Sequence, residues 1–188
     1  MDKKNLAIVR QSFAQAVFTH QVQEAAANRN LVYVRRMKII NVVMTAVVLV
    51  LIILQASRPD FLLFSILATC FSVAEITFLI VQLTYSFDDK MLSHKGAALE
   101  YMALRDKYRL LITDIMNQNI SIDMIYDKRD TLQAEYQQVS NRSPITTSKD
   151  FDTAQLRLNK RGKVAGEQFT WSNEEIDRFL PEELRLSK

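Results

Sequence analysis

In 188 residues the chain has one cysteine, three glycines and three prolines. With Cys70 alone, a disulfide scaffold and a thiolate metal cluster are both excluded. So few glycines leave little material for phosphate-cradling loops, and no G-x-x-x-x-G-K, G-x-S-x-G or H-E-x-x-H pattern occurs. His20 and His94 are isolated, with no ligand partners at metal spacing, and read as surface residues. No catalytic, cofactor or metal site is therefore expected, and the chain reads as a non-enzyme. Few helix breakers and no strand-like alternation point to an all-α fold.

Charge is also missing, in two places. Ile39 to Ser57 holds no charged residue over nineteen positions, and Phe61 to Phe87 holds only Glu75 over twenty-seven. A helix needs ~20 such residues to cross a bilayer, so both stretches qualify as spans. The connector "RPD" (58–60) suits a tight turn, with Asp60 at a helix start, so the spans form an antiparallel hairpin. Arg29, Arg35, Arg36 and Lys38 precede the first span, and Lys90, Lys95, Arg105, Lys107 and Arg109 follow the second. The positive-inside rule then places both termini in the cytoplasm. The polar stretch before the first span, and the length of its apolar run, do not fit a cleavable signal peptide.

This gives four regions. Residues 1–38 are an N-terminal juxtamembrane helix with Leu6, Val9, Phe13, Ala16, Val17 and His20 on one face, continuous with the first span. Residues 39–87 are the hairpin, with spans at about 39–57 and 61–87. Residues 88–140 are a long helical region in which Ala97, Tyr101, Leu104, Tyr108, Leu111 and Ile115 form an a/d seam. That seam needs a partner helix, either from its own chain or from a second copy. Gly96 is a candidate bend near the membrane, at a cost of ~1 kcal/mol relative to Ala. Residues 141–188 are a tail: 140–153 is loop-like, 154–169 is ambiguous, and Ser172 with Glu175 forms a capping box that Trp171 and Ile176 staple. Pro181 is expected to close or kink that helix after Leu180. The whole is an all-α membrane protein, a two-span transmembrane helical hairpin flanked by long cytoplasmic helices.

Each span carries polar residues on an apolar cylinder. Ser65, Thr69, Ser72, Glu75, Gln82 and Ser86 fall within an arc of about 140° on the second span. Asn41, Thr45 and Gln55 share a face of the first. Equal helix rise puts Glu75 level with about residue 42, in the cytoplasmic half of the bilayer. A charge at the bilayer centre costs ~2.5–3.5 kcal/mol on insertion scales, so two uses compete for Glu75. It fastens the hairpin as a neutral acid bonded to Asn41 or Thr45, or it lines a water-filled path between assembled subunits.

The layout, with the helix "KGAALEYMALRDKYRLL" and the closing "WSNEEIDRFLPEELR", resembles the SLATT domain, a family of bacterial two-span effectors of antiphage conflict systems. The resemblance covers nearly the whole chain and carries over no catalytic residue. It implies an abortive-infection effector that oligomerises to form a pore or perturb the inner membrane. The trigger would be a separate sensor, a cyclic-oligonucleotide synthase or a reverse transcriptase, or a cyclic nucleotide ligand. No direct nucleic-acid binding and no cofactor are expected, and the lipid bilayer is the other partner. The competing reading is a non-conducting membrane scaffold that recruits proteins through its cytoplasmic helices, with a proton or small-solute carrier further behind.

Overall fold

Between Lys3 and Ser57 there is neither glycine nor proline, and the chain runs through all 55 residues as one helix, α1. In a computed structural model that describes residues 2–159 and 170–187, the regular elements of those residues are all helices. After α1 come α2 (Leu62–Tyr85), α3 (Phe87–Met116), α4 (Ile122–Arg142), α5 (Ser148–Arg157), α6 (Asn173–Asp177) and a 3-10 turn at Glu182–Leu184. They fall into two units: a hairpin, Asn28–Met91, and a bundle built from Met1–Ala27 and Leu92–Lys188.

Arg58 to Phe61 makes the hairpin turn, closed by the Phe61 amide donating to the Arg58 carbonyl at 3.2 Å. Asp60 does not start α2; Phe61 is its N-cap and no side chain caps it. The second span ends at Ser86, which takes left-handed backbone (φ 32°, ψ 55°) and separates α2 from α3. A non-glycine residue there costs roughly 1–2 kcal/mol. Gly96, the candidate bend, does not interrupt α3, which is helical on both sides of it. Helix hydrogen bonds on either side outweigh the weak propensity of one glycine.

In the bundle, α1 contributes Leu6, Val9, Phe13 and Val17 to one core with residues of α3 and α4. Ala97, Tyr101, Leu104, Tyr108, Leu111 and Ile115 are all buried, and the last five join this core with Ile125, Leu132 and Val139 of α4. The long helix expected after the second span turns back at residues 117–121, where Gln118 is left-handed (φ 56°) and Ser121 caps α4 by accepting from the Met124 amide at 3.4 Å. The turn lets the a/d seam pack on the chain's own helices.

Most of the segment expected as loop at 140–153 is helical. Only about five residues separate α4 from α5, because Thr147 and Asp150 form a capping box. Residues 160–169, part of the ambiguous stretch, lie outside the described residues. Ser172 and Glu175 cap α6 reciprocally, and Trp171 and Ile176 are buried at the staple positions. That helix stops at Asp177 rather than Leu180, since the Phe179 and Leu180 amides make i→i−3 bonds that tighten the last turn; Pro181 then caps the 3-10 turn.

Two predictions follow from this packing. A Cβ at Gly96 would meet nothing within 4 Å, so Gly96→Ala should raise bundle stability by about 0.5–1 kcal/mol, read from the thermal midpoint by circular dichroism. Leu104→Asp or Leu111→Asp puts an unpaired charge in the core and should cost more than about 3 kcal/mol, with loss of helical signal at growth temperature. A folded, unshifted Leu104→Asp bundle would contradict the packing described.

Candidate membrane-embedded site

The polar residues of the spans take different positions in the hairpin. On α2, Phe64, Ser65, Ala68, Ser72, Glu75, Phe78 and Gln82 are half-buried and the other residues are exposed, close to a three-four repeat that faces α1. On α1, Asn41, Met44, Val48, Leu51 and Gln55 repeat in the same way. Thr45 and Thr69 are more exposed, at the edge of this seam. Outward positions are mostly apolar, with Leu62 at 74% and Leu83 at 82% exposure, as suits lipid contact.

Thr45 Oγ1 hydrogen-bonds Glu75 Oε1 across the hairpin. The same hydroxyl lies 3.0 Å from the Asn41 carbonyl oxygen. Thr45 is three residues, about 4.5 Å, from the level estimated for the partner of Glu75. Threonines 69, 77 and 84 donate to the carbonyl four residues back, at 2.8–2.9 Å, which satisfies each hydroxyl within its own helix. The amides differ. Asn41 Oδ1, Gln55 Oε1 and Gln82 Oε1 are shielded from solvent and have no partner in the hairpin. A groove of about 550 Å³ runs between Ile52, Gln55 and Ala56 on one side and Ser65, Thr69 and Ser72 on the other.

An aromatic collar occupies the open end of the hairpin. Tyr33 and Tyr85 both contact the Phe87 ring, at centroid distances of 5.7 and 6.2 Å, and Lys90 Nζ stands 5.6 Å from it. Lys38 and Asp88 pair at 3.6 Å, both exposed, so the pair adds at most about 1 kcal/mol. Interfacial aromatics and cations of this kind mark the boundary of a span.

Both histidines are buried, contrary to the surface placement expected of them. His20 Nδ1 lies 2.8 Å from the Ala98 carbonyl oxygen and His94 Nδ1 lies 2.7 Å from Gln23 Oε1. A hydrogen-bond partner on the neighbouring helix makes burial of a lone imidazole tolerable, and isolation in sequence does not reveal it. Among the described residues no group of three or more His, Cys, Asp or Glu is placed to hold a metal ion.

Two apolar helices closed into a hairpin on a partly polar seam, joined to a helical bundle, define a two-span helical membrane protein. The chain belongs to the SMODS and SLOG-associating 2TM effector domain family 4, whose sequence model matches residues 6–175. No curated protein and no solved structure matches it. The matched region runs from the first turns of α1 to the capping glutamate of α6, so both units belong to the family domain.

One bundle feature escaped the sequence reading. Arg10 is fully buried; it forms an ion pair with Asp177 and donates to the Leu184 carbonyl at 3.0 Å. Its position was readable, since residue 10 shares a helix face with Leu6, Phe13 and Val17. Asp177 also accepts from the Leu186 and Ser187 amides and from the Ser187 hydroxyl. Gln11 holds the Trp171 backbone at both ends, and Phe18 contacts the Phe151 and Trp171 rings. The chain end is thereby clasped to α1.

Burial alone would raise the pKa of Asp177, but hydrogen bonds from Ser187, Arg10 and the two amides outweigh it and bring the carboxyl down to about 2. A depressed acid stabilises the folded form above its unfolded pKa near 3.8, and that stability disappears as pH falls through about 2. The clasp should therefore hold at neutral pH and loosen between about pH 4 and 2, seen as rising Trp171 solvent exposure in fluorescence. Asp177→Ala should release it at neutral pH at a cost of about 3–5 kcal/mol, because Arg10 is left buried and unpaired. Trp171 emission that ignores both treatments would count against the clasp.

Proposed function

We propose that this chain is a defence effector of the bacterial inner membrane, with both termini cytoplasmic, that assembles with copies of itself and opens or perturbs the bilayer. A separate sensor protein or a nucleotide signal would trigger it. One observation carries the proposal: three amide oxygens, on Asn41, Gln55 and Gln82, lie within the spans without partners. A polar group shielded from water without a partner costs about 1–3 kcal/mol, so these residues suit a state in which water or another subunit reaches them. The family supplies the word effector, and the bilayer supplies what is acted on. The Glu75–Thr45 contact supports a resting hairpin closed over its own polar seam; the competing reading makes Glu75 a permanent fastener.

The scaffold alternative draws less support. It relies on cytoplasmic helices offering an apolar seam to other proteins, and Tyr101, Leu104, Tyr108 and Leu111 are buried within the chain.

Light scattering on the detergent-solubilised protein should give a mass above that of a monomer, and a monomer at every concentration would remove the pore. Depolarisation is then compared for wild type, Glu75→Gln and Glu75→Leu at matched membrane levels. A pore-lining Glu75 predicts altered selectivity in the Gln variant and loss of flux in the Leu variant. A pure fastener predicts a wild-type Gln variant, since an amide can replace a neutral acid as a hydrogen-bond partner. Its Leu variant would be weakened by no more than ~1–2 kcal/mol. Wild-type flux from Glu75→Leu would end the pore-lining role.

A further inference from the structure

Helix α3 is apolar on two faces. Its buried seam packs into the bundle, and a second stripe lies about 140° round the same helix. Leu92, Gly96, Leu99, Ala103, Asp106 and Leu110 follow one another at alternating steps of four and three, within an arc of about 80°. Leu92, Leu99 and Leu110 are 61%, 48% and 64% exposed, and Gly96 and Ala103 are exposed with them. An outer helix of a bundle needs one apolar face, so a second one at a/d spacing asks for a partner outside the bundle. Gly96 points the same way. A Cβ there would meet nothing within 4 Å and α3 is helical on both sides, so nothing within the chain calls for glycine. Glycine suits a place where another backbone comes close.

The charges on the two borders of the stripe point to a second copy. With Leu92, Leu99 and Asp106 at d, and Gly96, Ala103 and Leu110 at a, Lys95, Met102 and Arg109 occupy g. Glu100, Lys107 and Asp114 occupy e. In a parallel pair each g residue meets the e residue five places further along the other helix. Lys95 then faces Glu100, Arg109 faces Asp114, and Met102 covers the stem of Lys107. An antiparallel pair would set the Lys95 border against the Arg109 border, so the pattern selects the parallel one. These four charges already have partners at the surface of their own chain: Glu24, Arg142, Asp106 and Lys128. Sharing or exchanging surface pairs costs little, so they set direction and register rather than strength. Asp106 is the misfit, an acid at d whose charge Arg105 and Arg109 hold in the single chain.

We propose that this stripe joins copies of the chain in pairs, as a parallel α3–α3 seam in which the three leucines pack and Gly96 and Ala103 admit the partner helix. The seam rests on the self-assembly proposed above and gives it a contact outside the spans.

The full chain in detergent is weighed by light scattering, as wild type and as the double variant Leu99→Asp, Leu110→Asp. The variant's mass falls by half or more while its circular dichroism spectrum stays wild type, because both side chains are exposed in the single chain. Asp106→Leu removes the misfit and lowers the concentration needed for assembly about threefold or more. In a Cys70→Ser background, oxidised membranes crosslink Leu99→Cys to its own copy, because d positions of a parallel pair face each other. Ile145→Cys, 94% exposed but off the stripe, does not crosslink. An oligomeric wild type whose mass the double variant keeps overturns the seam and leaves assembly through the spans standing. An assembled Leu99→Cys protein that stays uncrosslinked also overturns it, and assigns the stripe to a different partner. An unchanged threshold for Asp106→Leu overturns the register. A wild type that is monomeric at every concentration removes self-assembly itself, and the seam with it.

Discussion

Hydrocarbon donates and accepts no hydrogen bonds, and the hairpin is organised by that constraint. Helix closure satisfies the backbone, and the threonines satisfy themselves on the carbonyl one turn back. The only acid between Phe61 and Phe87 is turned to the seam, where Thr45 meets it. Everything facing outward can then be Leu, Ile, Val or Phe. The same constraint gives the juxtamembrane region its character, since Tyr33, Tyr85 and Phe87 gather where the bilayer stops and water begins.

The bundle follows different physics. Its core is large enough to bury a whole arginine, provided that the charge finds Asp177 and a carbonyl. Replacing a buried pair by apolar residues is often neutral or stabilising, so net stability is a poor reason for it. Register is a better one: any other docking position of the chain end would leave Arg10 buried and unpaired. The apolar contacts of Trp171, Ile176 and Leu180 hold the end in place, while the ion pair selects which place.

Legibility in the sequence depended on how far each signal reaches along the chain. The spans, the hairpin, the unbroken α1 and the Ser172 capping box depend on run length or on residues three or four apart, and these were readable. The break between α2 and α3 was not, because it falls at Ser86, a residue with no strong left-handed preference, while the nearby glycine stays helical. The seam at 97–115 was readable as a seam. Its partner was not, since the turn at 117–121 that brings α4 back depends on tertiary packing. His20, His94 and Arg10 were misplaced or missed for one shared reason. Periodicity sets His20 and Arg10 on the apolar face of α1, but it cannot supply the distant partners that make such burial tolerable: Ala98, Gln23 and Asp177 lie 71 to 167 residues from the groups they meet.

Side-chain length sorts the polar residues of the spans into two kinds. A threonine hydroxyl sits one bond from Cβ and reaches its own helix's carbonyl, so it needs no other molecule. The amides of Asn41, Gln55 and Gln82 each keep a shielded oxygen that no group of the hairpin meets; the Gln55 nitrogen does reach the Pro59 carbonyl, at 3.4 Å. Thr45 and Glu75 lie between these cases, because their contact is complete within one chain yet sits at the edge of the seam where a neighbour or water has access. A hairpin meant only to anchor the bundle could dispense with all three amides by using leucine. Gln55 recovers part of the cost of its burial through the Pro59 carbonyl, and the shielded oxygens of all three are the groups that water or another subunit would meet in the state proposed for this effector.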